Sequence, residues 1–353
     1  MKIIHELNQL DYGGVERVIR SIIKHDQKNE HTIVAYKDGP FRARLEEVGA
    51  KIVVVAENEE SDLDADLIHI HSGGGMSQMA ADVAGQLPVI ETIHSPVRSP
   101  IPSNLITRRV GVCDAVARMN SNAIAIRNGV EADELMPENM IGREEFKREC
   151  LGIPEGAIVI GRAGRLGYDK GLEEWLLTVY HLQQRRHNIY PVIVGSEARD
   201  ADGYMGKLKL MAESLPVKNI RWVGHQDNIM DWLVGMDIFL YPSRTEGFGL
   251  VFAEAMLAGC AVVAHKTDVT TELFGGHAVL VPLGLGIMGL VNAVECVLKS
   301  PELMSELNNS HEFIASEYQA ERMSQQYQEL YDECRNANSS SQCESRQTDV
   351  VLA

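Results

Sequence analysis

Ile238-Phe239-Leu240-Tyr241-Pro242-Ser243-Arg244-Thr245-Glu246-Gly247-Phe248-Gly249-Leu250-Val251-Phe252-Ala253-Glu254 is the stretch whose reading decides the fold. The apolar run ending at Tyr241 reads as a buried strand stopped by Pro242. Gly247 and Gly249 then make a turn at the strand's carboxyl end, and 250–258 is apolar and helix-compatible. One carboxylate, Glu246, therefore falls on a loop and the other, Glu254, inside a helix. Open α/β sheets take ligands outside the carboxyl ends of their strands. The helix start adds unpaired N–H groups and the positive end of a dipole, which suit phosphates and sugar hydroxyls.

The same alternation extends in both directions. Strands are expected at 2–7, 31–36, 51–55, 67–71, 88–93, 109–113 and 123–127, with helices at 15–25, 41–48 and 77–85 between them. A second series follows, with strands at 157–161, 190–194, 220–223, 238–241, 261–264 and 278–281 and helices at 172–185, 204–214, 229–234, 250–258 and 287–299. Strands alternating with helices imply parallel sheets covered on both faces. The expected plan is an α/β chain of two Rossmann-like domains, 1–150 and 151–304, joined near the polar segment 131–154. An amphipathic helical stretch, 305–334, follows as a candidate to pack back on the first domain. The Asn/Ser/Gln-rich end, 335–353, has no apolar period and is expected to be disordered.

Composition narrows the function. The chain has 353 residues, a formal net charge of −17 and no apolar run long enough to span a bilayer. The charge disfavours nucleic acid as a partner, since phosphate neutralisation needs a basic face. At most peripheral membrane contact is expected, with Arg98, Arg108 and Arg109 as a local basic patch. The amino terminus starts directly as a strand and lacks the pattern of a secretory signal, so a cytoplasmic location is expected. Six scattered cysteines without a C-x-x-C pair read as reduced thiols.

Two further loops carry chemistry. In 161–171, GRAGRLGYDKG, Arg165 and Lys170 flank glycines after a strand. A forked guanidinium and a mobile ammonium on one crevice suit a diphosphate leaving group. Gly13 and Gly14 follow the first strand and let backbone approach a ligand closely. They do not form G-x-G-x-x-G, and no acid stands about 20 residues on, so dinucleotide binding is disfavoured. The Gly-rich run 72–75 is a substrate floor or a connection. His94 closes strand 88–93 and offers an imidazole to a sugar hydroxyl or an acceptor. His69 and His71 share a strand face, but no third ligand of suitable spacing follows them and no metal site is expected. Asp64 and Asp66 precede their strand and read as a solvated turn.

Together Gly13-Gly14-x-Glu16-Arg17, Asp66 to His71, His94, Asn128-Gly129-Val130, Gly164-Arg165-Leu166 through Lys170-Gly171, and Glu246 through Glu254 resemble glycosyltransferase family 4. The resemblance runs over about 1–300 and implies retaining enzymes of the GT-B fold, two Rossmann-like domains facing each other across a donor cleft. It implies that Glu254 accepts from the ribose of a nucleotide sugar and that Glu246 holds the donor sugar. Amides of Gly247, Phe248, Gly249 and Leu250 complete the cradle, Arg165 and Lys170 take the diphosphate, the Gly13-Gly14 loop closes over the donor, and His94 lines the transfer site. It implies no metal and no cofactor beyond the nucleotide sugar. The proton passes to the departing phosphate oxygen, so no dedicated side-chain base is named.

The chain departs from the family at 192–199, where Gly195-Ser196-Glu197 replaces Gly-x-Gly, which leaves the base open between UDP and GDP. The expected activity is hexosyl transfer to a glycan or lipid-linked acceptor in polysaccharide or glycoconjugate synthesis. The first half carries more Asp and Glu than Lys and Arg, which keeps a soluble acceptor open as well. The rivals are a nucleotide-sugar 2-epimerase of the same fold, which needs extra cleft acids, and a catalytically silent sugar-nucleotide binding or scaffold protein.

Overall fold

The computed structural model describes residues 1–55, 64–71, 78–135, 142–186, 188–198 and 201–351, with the side chains of 78, 79 and 338–351 outside that description. The Gly-rich run 72–75 therefore lies outside the described residues. Among these residues no single helix is long and apolar enough to cross a membrane.

The first sheet has seven strands: β1 (Lys2–Leu7), β2 (Glu30–Ala35), β3 (Lys51–Val54), β4 (Leu67–Ile70), β5 (Val89–Ile93), β6 (Arg108–Gly111) and β7 (Ala123–Ala125). All pairings are parallel, in the order β3-β2-β1-β4-β5-β6-β7. The central strands are buried along nearly their whole length, the pattern of a sheet covered on both faces. The helix Gly14–Lys24 puts Ile19 and Ile23 against Ile33 and Leu45 on one side of the sheet.

The second sheet has six: β8 (Ile158–Ala163), β9 (Ile189–Val194), β10 (Arg221–Gly224), β11 (Ile238–Tyr241), β12 (Ala261–Lys266) and β13 (Val279–Pro282). They are parallel in the order β10-β9-β8-β11-β12-β13. The helix Leu172–Arg185 buries Trp175, Leu176, Val179 and Leu182 in the core of this sheet, against residues of the helix Gly286–Lys299. Both sheets double back once, between β1 and β4 in the first and between β8 and β11 in the second. These are the switch points at which open α/β sheets leave a crevice.

The domain boundaries differ from those expected at 150 and 304. One compact unit is Met1–Gly129 with Tyr318–Ala353, and the other is Val130–Glu317. The linker joins the second unit because its helix Arg143–Glu149 is anchored there. Arg143 donates to the carbonyls of Val234 and Gly259, Lys147 Nζ sits 2.8 Å from Asp237 Oδ1, and Phe146 packs edge-on against Trp232. The stretch 305–334 is divided. Its first part lies in helices Pro301–Asn308 and His311–Glu317, and the stacking of His277 on Phe313 holds it to the second unit. Its second part opens the helix Ala320–Val351, which packs on the first unit: Ser324 donates to the Ile22 carbonyl and Gln328 to that of His25. Where a disordered tail is expected from 335, the backbone stays helical to Val351, because no Gly or Pro interrupts 320–351.

Candidate donor site

In the second unit the two strands flanking the switch point are β8 and β11, and the loops leaving them carry the charged residues. The first loop, 164–171, holds Arg165, Asp169 and Lys170, and the second, 242–249, holds Glu246. Gly171 joins them. It adopts φ +64°, and a Cβ there would lie 2.0 Å from the Pro242 carbonyl oxygen, so only glycine lets the loops touch. Ser243 Oγ donates to the Thr245 carbonyl at 3.1 Å and reaches the Asp169 carbonyl at 3.4 Å.

That contact brings Lys170 Nζ to 2.8 Å from Glu246 Oε1, with side-chain exposures of 14% and 11%. Asp169 Oδ2 lies 3.1 Å from the same ammonium and 4.0 Å from Arg165 Nη2. Arg165 is half exposed. Burial works against the Lys170 charge, but Glu246 and Asp169 outweigh it and hold the ammonium well above the ordinary lysine range. Beneath the pair, Tyr241 is pushed up by burial and by the Glu246 charge. The fully buried Arg162 guanidinium lies over the Tyr241 ring, 4.8 Å from its centroid.

Gly249, at φ +83°, turns the chain into the helix Leu250–Leu257. Gly247 and Phe248 are buried and Leu250 is half-buried. Glu254 is fully buried in that helix, as the apolar residues around it require. The charged pair is thus assembled at the loops, and Glu254 sits deeper, one turn into the helix.

In the first unit Gly13 is the extended residue before the helix Gly14–Lys24. A Cβ at Gly13 would meet the buried Glu16 carboxylate at 2.4 Å, so the turn is closed by Glu16, which also accepts from the Asp11 N–H. His94 follows β5 half-buried, its Nε2 3.2 Å from His71 Nδ1. Asp64 and Asp66 are exposed, Asp64 pairing with Lys2 and Asp66 accepting from the Lys2 N–H.

Two features escape a reading by spacing. His69 and His71 do meet a third imidazole: a ring nitrogen of His5, on the neighbouring β1, lies within 4.8 Å of theirs. The expectation that no third ligand of suitable spacing follows them rests on local spacing, and β1–β4 pairing brings the third ring from upstream instead. The signal was present as histidines at 5, 31, 69 and 71 in strands that the topology makes neighbours. Asp169 is the other omission, visible only as the residue beside Lys170.

Residues 143–312 match the family model described as Glycosyl transferases group 1. This region is a group 1 glycosyl transferase domain. It contains Arg165, Lys170, Glu246 and Glu254 together, so the switch-point loops of the group 1 domain are those described above. Over 197 residues the chain is 26% identical to the lipopolysaccharide core biosynthesis mannosyltransferase LpsB of Rhizobium meliloti, covering 54% of this chain and 55% of that one. It is 33% identical over 166 residues to a D-inositol 3-phosphate glycosyltransferase of Corynebacterium jeikeium, covering 44% and 39%. It is 26% identical over 269 residues to a phosphatidyl-myo-inositol mannosyltransferase of Mycobacterium tuberculosis, covering 68% and 66%. The chain thus spans less than two thirds of the length of these curated relatives.

Among solved structures, Anabaena HepE in complex with UDP-glucose matches with a TM-score of 0.78 at 20% identity, covering 94% of this chain and all of that one. WaaG, a glycosyltransferase involved in lipopolysaccharide biosynthesis, matches with a TM-score of 0.73 at 12% identity, covering 93% and 99%. The fold is GT-B, built from two Rossmann-like units.

Proposed function

We propose that the protein is a retaining glycosyltransferase that moves a hexose from a nucleotide-diphosphate sugar to a hydroxyl of a glycan or lipid-linked acceptor. The observation that carries this reading is the Lys170–Glu246 pair, held at 2.8 Å on the two loops that flank the switch point of the group 1 domain. An ammonium beside a carboxylate at a sheet's ligand edge serves both ends of a nucleotide sugar. The cation takes the diphosphate, and the carboxylate accepts from the sugar hydroxyls.

In this reading Lys170 and Arg165 neutralise charge that develops on the leaving phosphate. The start of the helix Leu250–Leu257 adds the amides of Gly249 and Leu250. Glu254 takes the ribose, and Gly13, Gly14 and His94 are the candidate donor and transfer residues of the first unit. These cations do the work without a divalent metal. Asp169 is a second partner for Lys170, so the ammonium keeps a tether when Glu246 turns to the sugar.

The activities for which LpsB and the phosphatidyl-myo-inositol mannosyltransferase are named support an acceptor in lipopolysaccharide or glycolipid synthesis. The protein is read as working in the cytoplasm with at most peripheral membrane contact. Crystallisation of HepE with UDP and with UDP-glucose favours a uridine donor over a guanosine one. A thermal-shift screen against UDP, GDP, ADP and their sugars, with EDTA throughout, tests the reading, because a ligand that favours the native state raises Tm. Stabilisation by one nucleotide family without metal is the expected result. A flat response to all of them, with a rise on NAD, overturns it.

A further inference from the structure

The first sheet carries a line of histidines across its strands, of which the proposed transfer uses only His94. Ring nitrogens meet end to end from His31 on β2, through His5 on β1 and His71 after β4, to His94 after β5. His31 Nδ1 lies 2.9 Å from His5 Nε2, His5 Nδ1 lies 3.1 Å from His71 Nε2, and His71 Nδ1 lies 3.2 Å from His94 Nε2. At the far end His31 Nε2 sits 3.2 Å from Asp26 Oδ2, a bent contact with the length of a hydrogen bond but not its alignment. Asp26, His5, His31 and His71 are buried.

Proton counting decides what the line does. A neutral imidazole has one N–H and one bare nitrogen. Burial keeps His5 and His71 far below the ordinary histidine range and holds His94 down to about 4, so these three rings are neutral near pH 7. With His31 taken as neutral too, a premise of the proposal, four rings bring four protons, and each of the three nitrogen–nitrogen contacts needs one. The fourth sits at an end, on His31 Nε2 or on His94 Nδ1. A bare nitrogen at His31 Nε2 would set a lone pair against a carboxylate oxygen at 3.2 Å, whereas an N–H there faces an anion. Asp26 is held ionised: burial opposes its charge, and contacts from His31, Asn29 and the Lys28 amide outweigh that cost.

We propose that Asp26 polarises this line, so that every ring is protonated on Nε2 and His94 is presented with Nδ1 bare, as a fixed hydrogen-bond acceptor for a ligand hydroxyl. Asp26, His31, His5 and His71 are then positioning residues that act through His94. Among the described residues Nδ1 of His94 has no hydrogen-bond partner, which leaves it for that hydroxyl. The tautomer stands without any assumption about substrate; only the hydroxyl rests on the transferase reading.

A cation held by His5, His69 and His71 is the competing use of the cluster. Both nitrogens of His69 are already engaged, at 2.7 Å with Thr92 Oγ1 and 2.8 Å with the Tyr331 hydroxyl. His5 Nδ1 and His71 Nε2 face each other. A metal takes one nitrogen from each ring, so it would have to break one of the His69 contacts and at least one contact of the line, and no carboxylate belongs to that trio.

The test is long-range proton–nitrogen NMR of the full chain labelled with 15N-histidine, near pH 7.5, with His94 assigned by loss of its signals in His94→Gln. The expected wild-type pattern is a pyrrole-like Nε2 and a pyridine-like Nδ1 on His94. The reverse tautomer, an imidazolium, or stoichiometric metal in the purified protein overturns the proposal. Asp26→Asn keeps an oxygen for the Lys28 and Asn29 amides but offers a donor to His31, so His94 is expected to shift toward protonation on Nδ1. An unchanged His94 in a folded Asp26→Asn overturns the polarising role. If that variant does not fold, His31→Phe removes the carboxylate's access to the line and is expected to give mixed His94 tautomers; a pure Nε2–H tautomer there overturns the role equally. Acceptor KM in Asp26→Asn is expected to rise about tenfold, the scale of one hydrogen bond. A switched tautomer with unchanged KM leaves the line standing and removes His94 from the transfer site.

Discussion

Lys170 and Glu246 are 76 residues apart in sequence and 2.8 Å apart in the fold, each mostly buried, on loops that leave adjacent strands. The pair cannot form without β8 lying beside β11, so the sheet order itself is what assembles it.

Lys170→Ala and Glu246→Ala are each expected to lower turnover about a hundred- to a thousandfold, the range seen when one preorganised charged or donor group is removed from a reacting centre. Steady-state kinetics with the donor found in the thermal screen check this. Near-normal kcat in both variants would remove the pair from the chemistry.

The same two residues are expected to be coupled in stability. Removing Lys170 leaves Glu246 mostly buried without its counter-charge, and removing Glu246 leaves Lys170 with Asp169 alone, so the double variant should be less destabilised than the two single losses combined, by about 1 kcal/mol or more. A double-mutant cycle from urea midpoints reads the coupling, and additive losses count against it.

Gly171→Ala is expected to cost roughly 1–2 kcal/mol from its left-handed backbone, and more from the contact with the Pro242 carbonyl. Because the substitution pries apart the loops that carry Lys170 and Glu246, turnover should fall with it. Urea melts and kcat are the two readings; a drop in stability with unchanged kcat would separate the loop contact from the site.

Chelation is expected to leave turnover unchanged, since Lys170, Arg165 and the helix start supply the positive charge. Assays in EDTA against added magnesium or manganese test it, and loss of activity that a divalent ion restores would contradict the metal-free reading.

Acid should destabilise the first unit. His5, His69, His71 and His94 have folded pKa values below the unfolded histidine value, so the unfolded chain binds more protons as the pH drops below about 6.5. Their stabilisation is fully present above that pH and is lost on acidification, for His94 down to about 4 and for the other three further down, at about 1.4 kcal/mol per pH unit for each proton taken up. Denaturant midpoints between pH 7.5 and 5 should fall steeply, and a flat profile would mean that these imidazoles titrate normally in the fold.

Thirteen strands and the helices at 172–185, 204–214 and 229–234 were legible in the sequence because parallel strands buried on both faces read as uninterrupted apolar runs. The strand, proline and glycine order around Glu246 was legible for the same reason. What local pattern hid was everything set by which strands become neighbours. His5 is 64 residues from His69 and becomes its register partner only through β1–β4 pairing. The boundary at 129 was hidden too, since the contacts that draw Arg143 and Lys147 to the second unit lie about 90 to 115 residues along the chain. The helix beyond 335 was misjudged from polar composition, which speaks against a buried core rather than against helical backbone.

The helix Ala320–Val351 places Tyr327 and Tyr331 over Thr92 and His69, closing the face of a sheet whose seven strands end at Ala125. During synthesis, the second unit, one uninterrupted segment, has all its parts while the first still lacks the covering of its histidine face. The unit that contains β1 is thus covered only after the second unit has all its described parts. Stalling or cleavage before residue 320 would leave the second unit's segment whole beside a sheet whose His69 and Thr92 lack their tyrosine partners.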